Sequence, residues 1–174
     1  RVRFFLFDGI RKEAPRLNFV SANPITQGCR VFKTPSEIAL MQTAMDITLA
    51  SYVKTFSMLE EGMTQGEVRN ICSQAHSKLG ASGGASVQFG KYTALPHGSI
   101  EPQRLKEGDI VMIDGGCGVD GYRSDITRTT VFGKPTQRQI DVWEIEKEAQ
   151  LVAFRAAQLG EPCENVDKAA RDYL

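Results

Sequence analysis

IVMIDGG (residues 110–116) and YRSDITRTTVF (residues 122–132), joined by CGVDG (residues 117–121), form the stretch on which the fold turns. Both outer runs are apolar or β-branched and of strand length, and the link between them is made of turn formers. They are expected to pair as an antiparallel hairpin. Each run carries one acidic residue, Asp114 and Asp125, where strands are depleted in Asp. A turn centred on Val119 and Asp120 sets the two carboxylates directly opposite each other on one side of the sheet. Like charges so placed repel, so a shared proton, a cationic side chain or a bridging metal has to compensate. A one-residue change in the turn, or a bulge, would move them to opposite faces. An aspartic-protease dyad needs Asp-Thr/Ser-Gly loops, which Asp114-Gly115-Gly116 and Asp125-Ile126-Thr127 do not supply, so metal is the better reading. Thr127, two residues beyond Asp125, shares its face; its hydroxyl is placed to hold a ligand carboxylate, or it is simply a β-branched strand former.

Outward from the hairpin, ALPHGS (residues 94–99) places His97 at the end of a strand expected over residues 85–95. A histidine at such a boundary is a candidate for substrate contact or proton transfer. Upstream, Thr64 and Glu67 form a capping box for a helix running to about Leu79, and His76 beside its apolar stripe reads as structural or surface. Thr34 or Ser36, with Pro35 and Glu37, starts an earlier helix that runs to Leu59 and is stopped by Gly62. GASGG (residues 80–84) lacks the phosphate-loop pattern and reads as a flexible connection. Thr136 caps a long helix to Leu159, and residues 162–174 begin another. Residues 1–7 read as a strand, and residues 8–34 as a connector with room for one short element.

Lys+Arg and Asp+Glu both number 21, and no basic tract stands out, which argues against a nucleic-acid partner. No window is apolar for the length of a membrane span, and the run from Phe4 to Phe7 ends at Asp8, too early for a signal-peptide core. Cys29, Cys72, Cys117 and Cys163 form no CxxC pair; they read as free thiols, each a small buried hydrophobe, in a reducing, cytoplasmic setting. The last helix carries no stop signal and the first strand has no partner in view, so the chain is expected to be a segment of a longer protein.

ALPHG, then L-K-x-GD-x-V-x-ID-GG, then GY-x-SDITRT together resemble the creatinase, prolidase and aminopeptidase P group of pita-bread metallopeptidases. FKTPSEIALMQTAMDIT is similar to the start of their catalytic domain, and VDKAARDYL to the helix before their third metal ligand. The resemblance implies an α+β fold: residues 33–174 as the first part of a pita-bread domain, a curved antiparallel sheet covered by helices. Residues 1–32 would be the end of an N-terminal domain plus linker. It further implies two divalent metal ions, Mn²⁺ first, with Co²⁺ or Zn²⁺ possible, held by two Asp, one His and two Glu. Asp114 and Asp125 match the Asp pair; the His and both Glu would lie beyond Leu174, so this segment alone would be inactive. His97 matches a histidine that contacts substrate near the scissile bond, and Thr127 a threonine beside the metals. The implied activity is hydrolysis of Xaa-Pro bonds in a proline-containing peptide by a homodimer. A pita-bread module that only binds peptides or proteins, and a creatinase-like hydrolase working without metal, are the alternatives.

Overall fold

The structure, a computed structural model, describes residues 3–174. It divides into two compact units, Arg1–Ala39 and Leu40–Leu174. In the first, α1 (Phe4–Glu13) and α2 (Asn23–Val31) precede the start of α3 (Pro35–Phe56), a helix that crosses the division. The strand expected over residues 1–7 is replaced by helix from Phe4 onward, and residues 1 and 2 lie outside the described residues. Local ion pairs support α1, and Phe7 meets the Phe19 ring edge-on at 5.0 Å. Asp8 pairs with Lys12 at 2.8 Å and with Arg11 at 3.5 Å, the two spacings that bring side chains together on a helix. The connector expected over residues 8–34 therefore holds the rest of α1 and all of α2.

In the second unit α3 is followed by α4 (Gln65–Lys78), β1 (Ser82–Phe89), a 3₁₀ turn (Gly90–Ala94), β2 (Ile110–Val119), β3 (Tyr122–Arg123), β4 (Ile126–Val131), α5 (Gln137–Ala156) and α6 (Cys163–Tyr173). The architecture is α+β. The strand expected over residues 85–95 starts and stops earlier, at Ser82 and Phe89, and the 3₁₀ turn takes its end. Strand β2 is central, antiparallel to β1 on one side and to β3 and β4 on the other. α3, α4 and α5 each begin with the same device. Thr34, Thr64 and Thr136 accept from the backbone N–H three residues on, while Glu37, Glu67 and Gln139 accept from the threonine's own N–H.

Alternation along the strands makes two faces. Val87, Phe89, Val111, Ile113 and Ile126 point inward onto Tyr52 of α3 and Val68 and Cys72 of α4. The other face carries Asp114. His76 is fully buried, with Nδ1 2.9 Å from the Cys72 carbonyl oxygen, a structural histidine. The GASGG segment is not a flexible connection: Gly83 and Gly84 lie within β1, and a Cβ on Gly83 would come within 2.6 Å of the His76 ring and 2.7 Å of Cys117 Cβ. Cys72 and Cys117 are buried as expected, but Cys29 and Cys163 are exposed, because α2 and α6 bury no residue.

The pairing of β2 with its second neighbour is interrupted at Ser124 and Asp125, between β3 and β4. Ser124 N–H still donates to the Cys117 carbonyl at 3.0 Å. The return bond from Cys117 N–H goes at 2.9 Å to the Ser124 hydroxyl, in place of the Ser124 carbonyl. That carbonyl turns instead toward Gly116, where an added Cβ would overlap its oxygen and lie 2.7 Å from its carbon.

Gly116→Ala should therefore cost more than about 2 kcal/mol, since the obstruction is backbone and cannot rotate away. Gly118→Ala, whose nearest neighbour would be Tyr122 O at 3.7 Å, should melt like the wild type. Equal melting temperatures for the two variants would refute this account of the hairpin. A second expectation concerns the cap of α4. The Thr64 backbone N–H and hydroxyl hold the Glu67 carboxyl below the usual glutamate range. A depressed folded-state value means the stabilisation is full above the unfolded value and is lost as pH falls through the folded one. Wild type and Glu67→Ala should differ in Tm at neutral pH and converge in acid, as thermal melts across that range would record.

Candidate functional site

Asp114, half-buried on β2, lies opposite Thr127 and not opposite Asp125. The hairpin turns about Asp120 and Gly121, with φ of +46° and +87°. Two successive left-handed residues make the tight turn whose twist matches the flanking strands. Compared with a turn centred one residue earlier, every cross-strand partner moves by two, so the directly facing Asp pair is corrected to a diagonal one. From Ser124 to Thr127 exposure runs buried, exposed, buried, exposed, which sets Asp125 and Thr127 on one side of the chain. Asp114 shares that side: the Thr127 hydroxyl donates to its Oδ1 at 2.6 Å. A hydrogen bond occupies the position where a second negative charge was expected. Asp125 is exposed and sits in the break between β3 and β4, not in mid-strand.

Beneath this face Tyr52 Oη donates to the Ile126 carbonyl at 3.0 Å, between Asp125 and Thr127. Burial pushes the Tyr52 hydroxyl far above the usual tyrosine value; Cys72, Asp114 and Asp125 add to the shift and Arg128 opposes it. The hydroxyl thus keeps its hydrogen and remains a donor. Arg128 Nη1 donates to the Thr127 carbonyl at 2.8 Å.

A cleft of about 470 Å³ opens beside Asp125, with Ser82, Gly84, Gly116 and Arg123 in its walls. Glycine backbone makes up much of its lining, alongside Arg123 and Ser124. A larger cleft of about 720 Å³ lies between β4 and α5, lined by Val131, Ile140, Val142 and Trp143 among others. It contains none of the residues expected to carry chemistry.

His97 is exposed in a turn beyond the 3₁₀ segment. Gly98, at φ +64°, closes that turn with its N–H on the Leu95 carbonyl at 2.9 Å, and Gln88 Oε1 accepts from Ser99 N–H at 3.1 Å. Gln103 Nε2 donates to the same Gln88 oxygen at 2.8 Å, while its own Oε1 accepts from Phe89 N–H at 2.7 Å. The buried glutamines thereby tie the loop to the end of β1. Among the described residues no hydrogen bond links His97 to Asp114, Asp125 or Thr127.

Three of the four expected residues, Asp114, Asp125 and Thr127, thus come together on one face of the sheet. Carboxylate oxygens suit hard divalent cations. Among the described residues no group of three or more His, Cys, Asp or Glu is arranged to hold a metal ion. The sequence reading missed Tyr52, Thr48 and Ser124. Tyr52 and Thr48 recur at helical spacing on the inward stripe of α3, where a polar atom that must find a partner was the available signal.

Residues 39–174 match the sequence model of metallopeptidase family M24. The chain is 29% identical over 174 residues to the Xaa-Pro dipeptidase of Pyrococcus furiosus, covering 98% of the chain and 50% of that protein. It is 31% identical over 173 residues to the Xaa-Pro dipeptidase of Lactobacillus helveticus, covering 95% and 46%. Among solved structures, the prolidase from Pyrococcus furiosus superposes with a TM-score of 0.90 at 30% identity, covering 99% of the chain and 52% of that structure. The X-Pro aminopeptidase from Thermotoga maritima MSB8 gives 0.88 at 28%, covering 99% and 50%. The chain spans about half the length of the curated relatives it matches. The antiparallel sheet and its helices are accordingly half of a pita-bread domain. On the match over residues 39–174, the chain belongs to metallopeptidase family M24.

Proposed function

We propose that the complete protein hydrolyses peptide bonds that precede proline, with Asp114 and Asp125 as two ligands of a pair of divalent ions. The observation that carries this reading is the convergence of Asp114, Asp125 and Thr127 on one face, in a chain whose relatives include two named Xaa-Pro dipeptidases. Thr127 holds one oxygen of Asp114 and so orients the carboxylate toward a cation. Asp125 stands at a cleft lined largely by glycine backbone, with room for a cation and a peptide beside it. When bound, a divalent pair supplies an activated water and polarises the peptide carbonyl. Oxygen donors favour Mn²⁺, with Co²⁺ and Zn²⁺ as the other candidates once a histidine joins the set. His97, on its tethered loop, contacts the substrate near the scissile bond. Residues 1–32 serve as the end of a separate N-terminal domain, and the working assembly is a cytoplasmic homodimer with a proline-containing peptide as its substrate.

Asp125→Asn in the complete protein keeps the shape of the side chain and removes its charge. Metal content should fall, and kcat on an Xaa-Pro dipeptide should drop by at least about a hundredfold, more than KM rises. With chelator present the variant should melt no lower than the wild type, because one of two carboxylates on the same face has lost its charge. A variant that retains metal and turns over normally would remove Asp125 from the ligand set. A variant that does not fold would assign the residue to structure instead.

A further inference from the structure

Between the helices and the strand that carries Asp125 runs a buried series of hydrogen bonds with no part in the proposed chemistry. Thr48 of α3 and His76 of α4 are fully buried, and Ser124 is 7% exposed. His76 Nδ1 lies 2.9 Å from the Cys72 carbonyl oxygen; a carbonyl only accepts, so this nitrogen carries a hydrogen. The other ring nitrogen, Nε2, lies 3.3 Å from the Thr48 hydroxyl. The Thr48 and Ser124 hydroxyls lie 2.8 Å apart, a hydrogen bond that either can donate. The Ser124 hydroxyl in turn accepts from Cys117 N–H at 2.9 Å. Direction is set at the two ends, Cys117 N–H to Ser124 and His76 to the Cys72 carbonyl, and the two hydroxyls between them close the series.

The far end of this series is the anomaly in the hairpin. An ordinary ladder would satisfy Cys117 N–H with the Ser124 carbonyl. Here the Ser124 side chain takes that place, its carbonyl is turned aside, and position 116 has no room for a Cβ. A departure that removes a ladder bond and restricts a neighbouring residue persists only where surrounding structure imposes it. What it changes is the orientation of the peptide between Ser124 and Asp125.

We propose that Thr48, His76 and Ser124 are positioning residues for the Asp125 carboxylate, acting through the rotated Ser124 peptide. None of them is assigned as a ligand of the cation. The inference rests on Asp125 being a metal ligand, and the test separates the two ideas. In the complete protein, Mn²⁺ affinity is measured by calorimetric titration for Thr48→Val, Thr48→Ser, Ser124→Ala and Asp125→Asn, beside melting curves with chelator. Valine keeps the shape of threonine without its hydroxyl, and serine keeps the hydroxyl without the methyl. Thr48→Val and Ser124→Ala should fold and bind Mn²⁺ about ten- to a hundredfold more weakly, the loss usual for groups that orient a ligand. Thr48→Ser should bind like the wild type. Wild-type affinity in folded Thr48→Val and Ser124→Ala, with affinity lost in Asp125→Asn, overturns the positioning role alone. Undiminished affinity in Asp125→Asn overturns the ligand reading and this proposal together. Failure of both Thr48→Val and Ser124→Ala to fold, beside a well-folded Thr48→Ser, assigns the series to structure and also overturns it.

Discussion

The central strand is squeezed between backbones on both sides. A Cβ at position 115 would run into the main chain of Gly84 and Ala85 on β1, and one at position 116 into the main chain of Ser124. Consecutive glycines are the one local solution, and they cost conformational freedom in the unfolded chain. In exchange the sheet gains a side-chain-free strip next to Asp125 and a slot for the rotated Ser124 carbonyl. Asp114 precedes this strip immediately, so the motif couples a charged residue to a stretch with no room for a Cβ. Gly83 extends the same logic to the inner face, where it makes way for the His76 ring.

The two faces of the sheet carry different kinds of stabilisation, and the Asp pair depends on both. On the inner face Tyr52 spans the apolar core and ends on the Ile126 carbonyl, and Thr48 does the same for Ser124. Both reach the strand segment that bears Asp125 from the same helix, one helical turn apart. Buried polar groups satisfied in this way fix a single arrangement more sharply than apolar contacts can, because each unmade bond would leave a desolvated group short of a partner. On the outer face the Thr127 hydroxyl does the comparable job for Asp114. Helix α3 is thus the rigid reference from which the acidic face is aligned.

Much of this was legible in the residues. Each of the three long helices opens on Thr-x-x-Glu/Gln, a signature that specifies both a position and a mechanism, and the hairpin followed from composition alone. The register did not, although Asp120-Gly121 is the pair that favours a two-residue turn with both residues left-handed. Centring the turn one residue early changed a diagonal relation into a facing one and left open which carboxylate the Thr127 hydroxyl holds. Helices α1 and α2 escaped because neither has a side-chain cap; their evidence is spread over salt-bridge spacing and a proline in the first turn of α2. Tyr52 and Thr48 were legible as members of a stripe, but periodicity says nothing of where a hydroxyl on that stripe will find its partner.

The distribution of the thiols has a practical side. Cys72 and Cys117 are sealed in the interior, whereas Cys29 and Cys163 are exposed, one in each of the two compact units. Maleimide or nitroxide chemistry under native conditions will select that exposed pair and spare the buried one. The chain is thus already equipped for a doubly labelled distance measurement by energy transfer or electron–electron resonance, with no cysteine introduced or removed. Such a ruler reports the spacing of the two units directly, and its change when a peptide or a cation is added.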